Sequence, residues 1–276
     1  MSGRSAIWLG VLLVAATTQA GAQRQAGPPA IADNSFLMEE AYNQEAGVVQ
    51  HISVFQLFRG AGSWAYSFTQ EWPLFSRTHQ LSFTVPIQRT HSGSSFATGL
   101  GDVAVNYRLQ LVGAERLSVA PRLSLLLPTG RAKSDLGAGA LGVQVSLPAS
   151  VVVASKVVTH WNAGGTVTPS AQNAVGDKAT TVAYNLGASA VWLARPTWNF
   201  LVEVVWTREE TVTGAGRTAA SNHLSISPGT RWAYNFASGL QIVPGIAFPI
   251  GVGPSAGDDA VLFYLSFEHP FRSGSH

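Results

Sequence analysis

The sequence predicts an all-β chain that folds as a transmembrane, antiparallel, up-and-down β-barrel of about 12 strands. Three observations lead to this prediction. Apolar and polar residues alternate along many segments, short turns alternate with longer loops, and only 12% of the residues are charged. Ordinary soluble domains carry ~25% charged residues. A chain with so few charges and no long apolar helix lacks the surface of a soluble protein.

The alternation is clear in residues 101–111, which read GDVAVNYRLQL. Val103, Val105 and Tyr107 fall on one face, because successive side chains of a strand point to opposite sides. Such segments follow one another with no helical periodicity between them. The twelve predicted strands are 47–58, 63–73, 79–89, 100–112, 116–128, 141–154, 157–168, 181–194, 197–208, 222–234, 238–249 and 260–271.

The connections between these segments alternate in length. With the first strand running outward from the periplasm, the periplasmic connections are tight, and most of the outward ones are longer and rich in Gly, Ser or charge. This asymmetry is typical of outer-membrane barrels, whereas soluble sandwiches have no reason to keep it. The longer predicted loops are 90–99, 129–140, 169–180, 209–221 and 250–259.

The tryptophans indicate which face of the strands meets lipid. Most of them lie near predicted strand ends, and tryptophan prefers the bilayer interface, where its ring stays apolar and its N–H stays wet. We therefore place the large apolar face outward, and closure of the sheet then leaves no unpaired edge in the hydrocarbon. The predicted interface girdle is Trp64, Trp72, Trp161, Trp192, Trp198, Trp206 and Trp232.

The chain divides into four predicted parts. Residues 1–22 have a basic start, an apolar run and an Ala-Gly-Ala cleavage site, as in a cleaved secretory signal peptide; a short membrane anchor is the alternative. Residues 23–46 form a periplasmic N-terminal segment, 47–271 the barrel, and 272–276 a short tail. The last strand ends on Phe271, which resembles the aromatic signal read by the outer-membrane assembly machinery.

Several polar side chains fall on the inward face of the predicted strands. Small residues around them leave space, and a barrel of 12 strands lies between those that side chains fill and those that enclose wide channels. These side chains either line a pathway for solutes or pair with one another and close the lumen. The candidates are Glu71, Asp102, Asn106, Arg108, Arg122, Glu203, Arg231, Tyr264 and Glu268.

The sequence contains only weak matches to catalytic and ligand-binding motifs. Residues 137–142 spell G-x-G-x-x-G, but they lead out of a loop into a strand, whereas a dinucleotide site needs a following helix. No G-x-S-x-G elbow is present, cysteine is absent and no basic run occurs. We therefore expect no catalytic residues, no cofactor, no metal site and no nucleic-acid partner.

Three stretches resemble a known family. ADNSFLMEEAYNQEAGVVQH (32–51), GLGDVAVNYRLQL (99–111) and LLLPTG (125–130) are similar to the family named for a putative meta-pathway of phenol degradation. The resemblance implies a Gram-negative outer-membrane barrel that transports small molecules, including aromatic or hydrophobic ones. The resemblance implies no catalytic residues for this sequence.

These observations predict a monomeric outer-membrane channel or transporter. Its expected partners are outer-membrane lipids, the assembly machinery and a small-molecule solute. Two alternatives stay open. A structural or surface barrel with a closed lumen would share every feature except conductance, and an outer-membrane hydrolase would lose activity when an exterior serine or histidine is replaced.

Overall fold

The computed structural model describes residues 31, 33, 35–92 and 94–271. They form twelve antiparallel strands, each paired with the next in the chain. In order, the strands are β1 Val48–Phe58, β2 Trp64–Leu74, β3 Ser76–Ser92, β4 Ser95–Leu100 with Val103–Leu109 and Val112–Gly113, β5 Leu117–Val119 with Arg122–Leu127, β6 Gly142–Ala154, β7 Val157–Gln172, β8 Lys178–Arg195, β9 Trp198–Gly214, β10 Arg217–Trp232 with Tyr234–Asn235, β11 Gln241–Ala247 with Ile250–Gly251, and β12 Ala260–Pro270.

The sheet closes on itself between its first and last strands. β1 pairs with β12 along its whole length, from Val48 opposite Pro270 to Phe58 opposite Ala260. This confirms the predicted fold class, a closed antiparallel barrel of 12 strands. Closure leaves neither β1 nor β12 with an unpaired edge.

The wall is apolar outside and polar inside. In β9, Val202 and Val204 are each 43% exposed on the outer face, whereas Glu203 between them is 0% exposed. The same inversion holds in β4, where Val105 is exposed and Asn106 is buried. A soluble sheet buries its apolar face, so this arrangement has the polarity of a membrane barrel.

The two ends of the barrel differ in their connections. At one end, which we call the short-turn end, connections of one to five residues join the strands, from Phe75 alone to residues 236–240. At the opposite, long-loop end, residues 128–141 include a short 3₁₀ turn, Ala132–Ser134. In the part of the chain described, no helix is long and apolar enough to cross a membrane.

Three of the long loops predicted at that end are mostly paired strands instead. β7 and β8 stay paired up to Gln172 and Lys178, within the loop predicted over 169–180. β3 and β4 stay paired up to Ser92 and Ser95, within the loop expected over 90–99. β9 and β10 stay paired up to Gly214 and Arg217, within the loop expected over 209–221. The polar composition of these stretches suggested loops, but backbone pairing does not require apolar side chains, and the exposed strand pairs simply extend the wall.

The N-terminal segment does not lie where the sequence suggested. Residues 23–46 are predicted to form a periplasmic segment, yet Asp33, Ser35 and Ala41 are at most 1% exposed and lie inside the barrel. The reason is that the inward face of the barrel offers many side-chain acceptors to backbone amides that otherwise have no partners. The predicted signal peptide and the tail at 272–276 lie outside the described residues.

Candidate functional site in the barrel lumen

The described residues between 31 and 46, which we call the lumen segment, follow the inner wall around most of its circumference. Asp33 accepts a hydrogen bond from Gln50 of β1 (2.8 Å) and others from Tyr264 and Ser266 of β12. The next contacts involve β8 and β9, and later ones pass around the wall to β7, β6, β4 and β3. Gln44 donates to Gln50, so the circuit closes on β1 again.

One set of these contacts joins backbone amides of the segment to inward side-chain oxygens of the wall. At least six amides are held in this way, at N···O distances between 2.8 and 3.0 Å. The pairs are Leu37 and Met38 to Glu203, Glu39 to Asn162, Ala41 to Ser150, Asn43 to Gln110, and Gln44 to Gln80. These hydrogen bonds fix the path of a segment that has no regular secondary structure.

Arg108 anchors the second half of the segment. Its guanidinium donates to the carbonyl oxygens of Glu40 (3.2 Å) and Tyr42 (2.7 Å) and to Asn43 Oδ1 (2.9 Å). On the wall, Glu71 lies 3.6 Å from the same guanidinium, and both side chains are at least 91% buried. A charge buried this deeply needs several partners to offset its desolvation, and the segment supplies three of them.

Two further arginines hold other parts of the segment. Arg122 makes an ion pair with Glu39 at 2.6 Å and also donates to Asn106 of β4 (2.9 Å). Arg231 donates to the carbonyl oxygen of Asp33 at 2.6 Å. Glu40, between these groups, is 4% exposed; burial and the charge of Asp33 raise its pKa to about 8, against the opposing effect of Arg231 and Arg108.

The first half of the segment lies against an apolar part of the wall. The ring of Phe36 packs on Tyr264, with centroids 5.2 Å apart. It fills a recess that two glycines leave open, because a Cβ added at Gly245 would lie 2.5 Å from the ring and one at Gly229 2.7 Å from it. The buried cluster comprises Ile31, Phe36, Ile52, Val191, Leu201, Ala233, Val243, Ala247, Leu262 and Tyr264.

Cavities remain on both sides of the lumen segment. A vestibule of about 640 Å³ lies at the short-turn end, between Tyr42 and Glu40 of the segment, Arg77 of β3 and Phe236 of a turn. Smaller cavities of about 140 and 180 Å³ lie on the other side of residues 37–39. A further space of about 400 Å³ opens near Leu136 at the long-loop end. The segment therefore separates two sets of cavities.

The lumen candidates named from the sequence all border the barrel interior. Six of the nine are buried, whereas Asp102, Arg122 and Glu268 are half-buried. Asp102 accepts hydrogen bonds from the amides of Gly130 (2.9 Å) and Ala138 (2.7 Å), and so holds the long loop at its end of the barrel. Glu268 lines the vestibule instead. That these side chains line a solute pathway stays a prediction.

Sequence reasoning missed the neutral side chains that hold the segment. Gln80, Gln110, Ser150, Asn162 and Ser189 were not singled out, because amides and hydroxyls on an inward face resemble ordinary barrel filling. The signal that identifies them is their position on the inward-facing side of the strands. Ser150 also lies 2.7 Å from His160 Nδ1, but its oxygen accepts the Ala41 amide, so this Ser–His pair serves to hold the segment.

The predicted interface tryptophans lie on the outer face of the wall. Trp161 and Trp192 are each 54% exposed and Trp198 is 41% exposed, all toward the short-turn end. Trp198 Nε1 donates to Thr230 at 2.9 Å, so its N–H is satisfied on the wall. Trp206 lies in the middle of β9, because that strand is longer than expected. The interfacial role of the girdle stays a prediction.

Phe271 ends the barrel at the short-turn end. Its amide donates to the carbonyl oxygen of Gly47 at 2.8 Å, and its side chain is 49% exposed. Its role as an assembly signal stays a prediction. The glycine motif at 137–142 leads into β6, as expected, and no group of three or more His, Cys, Asp or Glu side chains in the described residues could hold a metal ion.

Comparisons with known proteins bear on the fold. No family model and no curated protein matches this sequence, so the resemblance to the phenol-degradation family is not confirmed. Among solved structures, the COG4313 outer membrane channel from Pseudomonas putida F1 has a TM-score of 0.61 at 12% identity, over 83% of this chain and 97% of that one. The NanC porin has a TM-score of 0.51 at 7% identity, over 80% and 98%. The chain thus has the barrel fold found in outer-membrane channels.

Proposed function

We propose that the protein is an outer-membrane channel for small molecules, closed by its lumen segment in the state described above. The observation that carries the proposal is an apolar outer wall around a polar interior that is filled by a separate segment. An apolar outer wall suits lipid, which supports an outer-membrane location and folding by the assembly machinery. The closed barrel needs no second copy to complete it, which supports a monomer.

The wall does not fill its own interior. Many inward positions carry serine, and the space they leave is taken by the lumen segment. These buried serines are Ser82, Ser118, Ser124, Ser146, Ser150, Ser189, Ser227 and Ser266. A barrel closed for structural reasons could have been filled from its strands, as small barrels are. Moving the segment would open a polar pathway without disturbing the backbone hydrogen bonds between the strands.

The polarity of the lumen favours a solute with a polar group on an apolar body. Arg108, Arg122 and Asn106 lie on one side of the interior, and Leu201, Val243 and Leu262 lie on the other. A small aromatic molecule with a hydroxyl or carboxylate could contact both sides. The vestibule of about 640 Å³ is in the size range of small-molecule sites.

A closed surface barrel is the second candidate. It is favoured by the number of hydrogen bonds that hold the segment, since each of them must break before a pathway opens. The channel and the closed surface barrel differ in one property, which is whether the lumen segment can move out of the lumen.

A disulfide lock tests the proposal. Ser35 Oγ and Ser189 Oγ are 2.8 Å apart, and the chain has no cysteine, so S35C/S189C places a single thiol pair at a distance that a disulfide can bridge. In a planar bilayer, we expect the reduced double variant to conduct and the oxidised one to be silent, with conductance restored by a reductant. S35C and S189C alone are the matched controls and should not respond to redox conditions.

Two outcomes would contradict the proposal. Equal conductance of the oxidised and reduced double variant would mean that the segment is not the gate. Absence of conductance in the reduced variant and in the wild type, with correctly folded barrels, would favour the closed structural barrel.

A further inference from the structure

Two histidines meet on the outer surface, where the barrel closes. His51 lies on β1 and His269 on β12, and the two side chains are diagonal neighbours across the seam, since His51 is opposite Phe267 and Val49 is opposite His269. Their Nε2 atoms are 3.3 Å apart. Both side chains are half-buried and lie near the strand ends at the short-turn end, so water can reach them.

The second ring nitrogen of His269 has its own partner. Nδ1 lies 3.2 Å from the carbonyl oxygen of Pro270, which can only accept a hydrogen bond. Nδ1 therefore carries the proton in the neutral ring, and the Nε2 lone pair is directed toward His51. A metal-binding histidine is oriented in the same way, with its other N–H donated to a carbonyl or carboxylate.

The spacing of the two nitrogens fits one metal ion. Zinc binds histidine nitrogen at about 2.0–2.1 Å with tetrahedral geometry, so two ligands on one ion lie about 3.4 Å apart. The Nε2 atoms are 3.3 Å apart, and the ring centroids are separated by 5.4 Å. The two Nε2 atoms are therefore already at the spacing that one ion requires.

We propose that His51 and His269 form a binding site for a divalent transition metal, with Zn²⁺ as the reference ion. Water would complete the tetrahedron, since the described residues place no third His, Cys, Asp or Glu with this pair. The ion would join the first and last strands across the seam. This proposal goes beyond the channel function and differs from the sequence-based expectation of no metal site.

Zinc binding to the folded protein tests the site. The probe is ZnCl₂, titrated by calorimetry into tag-free, EDTA-washed protein in detergent micelles. We expect about one ion per chain, with H51Q and H269Q each weakening binding at least ~10-fold, as loss of a ligand should cost no less than loss of a supporting group. The matched control is H91Q, because the His91 ring contacts the Ala61 carbonyl and no other histidine.

A second measurement reports on the seam itself. Because the ion binds only when β1 and β12 are paired, zinc should raise the unfolding temperature of the wild type and of H91Q. It should leave that of H51Q and H269Q unchanged. The proposal is overturned if the wild type does not bind zinc, if H51Q and H269Q bind as well as the wild type, or if zinc shifts all four unfolding temperatures equally. The first of these outcomes would leave a simple His–His hydrogen bond.

Discussion

The two halves of the inner wall hold the same segment by different means. The polar half, formed by the inner faces of β2–β7, offers Gln80, Gln110, Ser150, Asn162 and Arg108 to the segment backbone. The apolar half, formed by β8–β12 and β1, also makes hydrogen bonds to the segment, through Glu203, Arg231 and Ser266. In addition, it encloses side chains of the segment in recesses between glycines and aliphatic residues. Directional bonds fix the register of the segment in both halves, and the apolar half adds burial and shape.

Because of this difference, the closed state should be sensitive to two kinds of substitution. Hydrogen bonds and ion pairs respond to the loss of one partner, because the other is left buried and unsatisfied. An apolar recess responds to volume. Substitutions in the two halves should therefore act on closure through different physical causes, and three experiments compare them.

The largest effect is expected in the polar half. Arg108→Met removes three hydrogen bonds to the segment and leaves Glu71 buried without its cation 3.6 Å away. Breaking a buried pair in this way costs about 3–5 kcal/mol, which should appear as a lower guanidinium midpoint and as increased conductance. Arg77→Met is the control. Its pair with Glu45 is 4.0 Å long and exposed, so its loss should cost less than about 1 kcal/mol. Equal effects would contradict the role given to Arg108.

The apolar half should respond somewhat less strongly. Phe36→Ala empties the recess beside Gly245 and Gly229 and should weaken closure by about 3 kcal/mol, the lower end for a buried aromatic ring. Conductance should rise while the barrel itself stays folded. Gly245→Ala should have a similar effect, since its Cβ would lie 2.5 Å from the ring. Phe75→Ala, at a position 95% exposed on a turn, is the control and should leave conductance unchanged.

The smallest effect concerns pH. Burial raises the pKa of Glu40 from its ordinary value of 4.5 to about 8, so the closed state binds a proton that the released segment would lose. Closure is therefore strongest below pH 4.5 and weakens as pH rises to about 8, where the dependence ends. Between pH 7 and 8 the change is at most about tenfold, or 1.4 kcal/mol. Conductance should increase over this range, and Glu40→Gln should remove the increase; a pH profile that survives in the variant would assign it to another group.

The wall was predictable from the sequence for a simple reason. A strand that faces lipid on one side and a polar interior on the other must alternate, and Val202, Glu203 and Val204 display that rule within three residues. The ends of the hairpins were less predictable. Exposed strand pairs such as Thr211 opposite Ala219 carry no large apolar residues in alternation, so their composition resembles that of a loop.

The lumen segment could not be placed from the sequence. It has no periodicity, and its partners are distant in the chain, as with Leu37 and Glu203, which are 166 residues apart. The candidate charges Arg108, Arg231 and Glu203 were identified by inward parity alone. The inward direction of these side chains does not identify their partner. Nothing in the local sequence of residues 31–46 indicates that the backbone amides of this segment contact side chains of the wall.

The long range of these contacts has a consequence for the order of folding. The segment is made before the wall, yet Asp33 bonds to Ser266, 233 residues later, and the circuit is complete only when β12 is in place. Closing such long loops is entropically costly until the wall holds the partners in position. We therefore expect the lumen segment, although it leaves the ribosome before the wall, to be the last part to reach its final position. Every molecule then passes through an open barrel before it becomes a closed one.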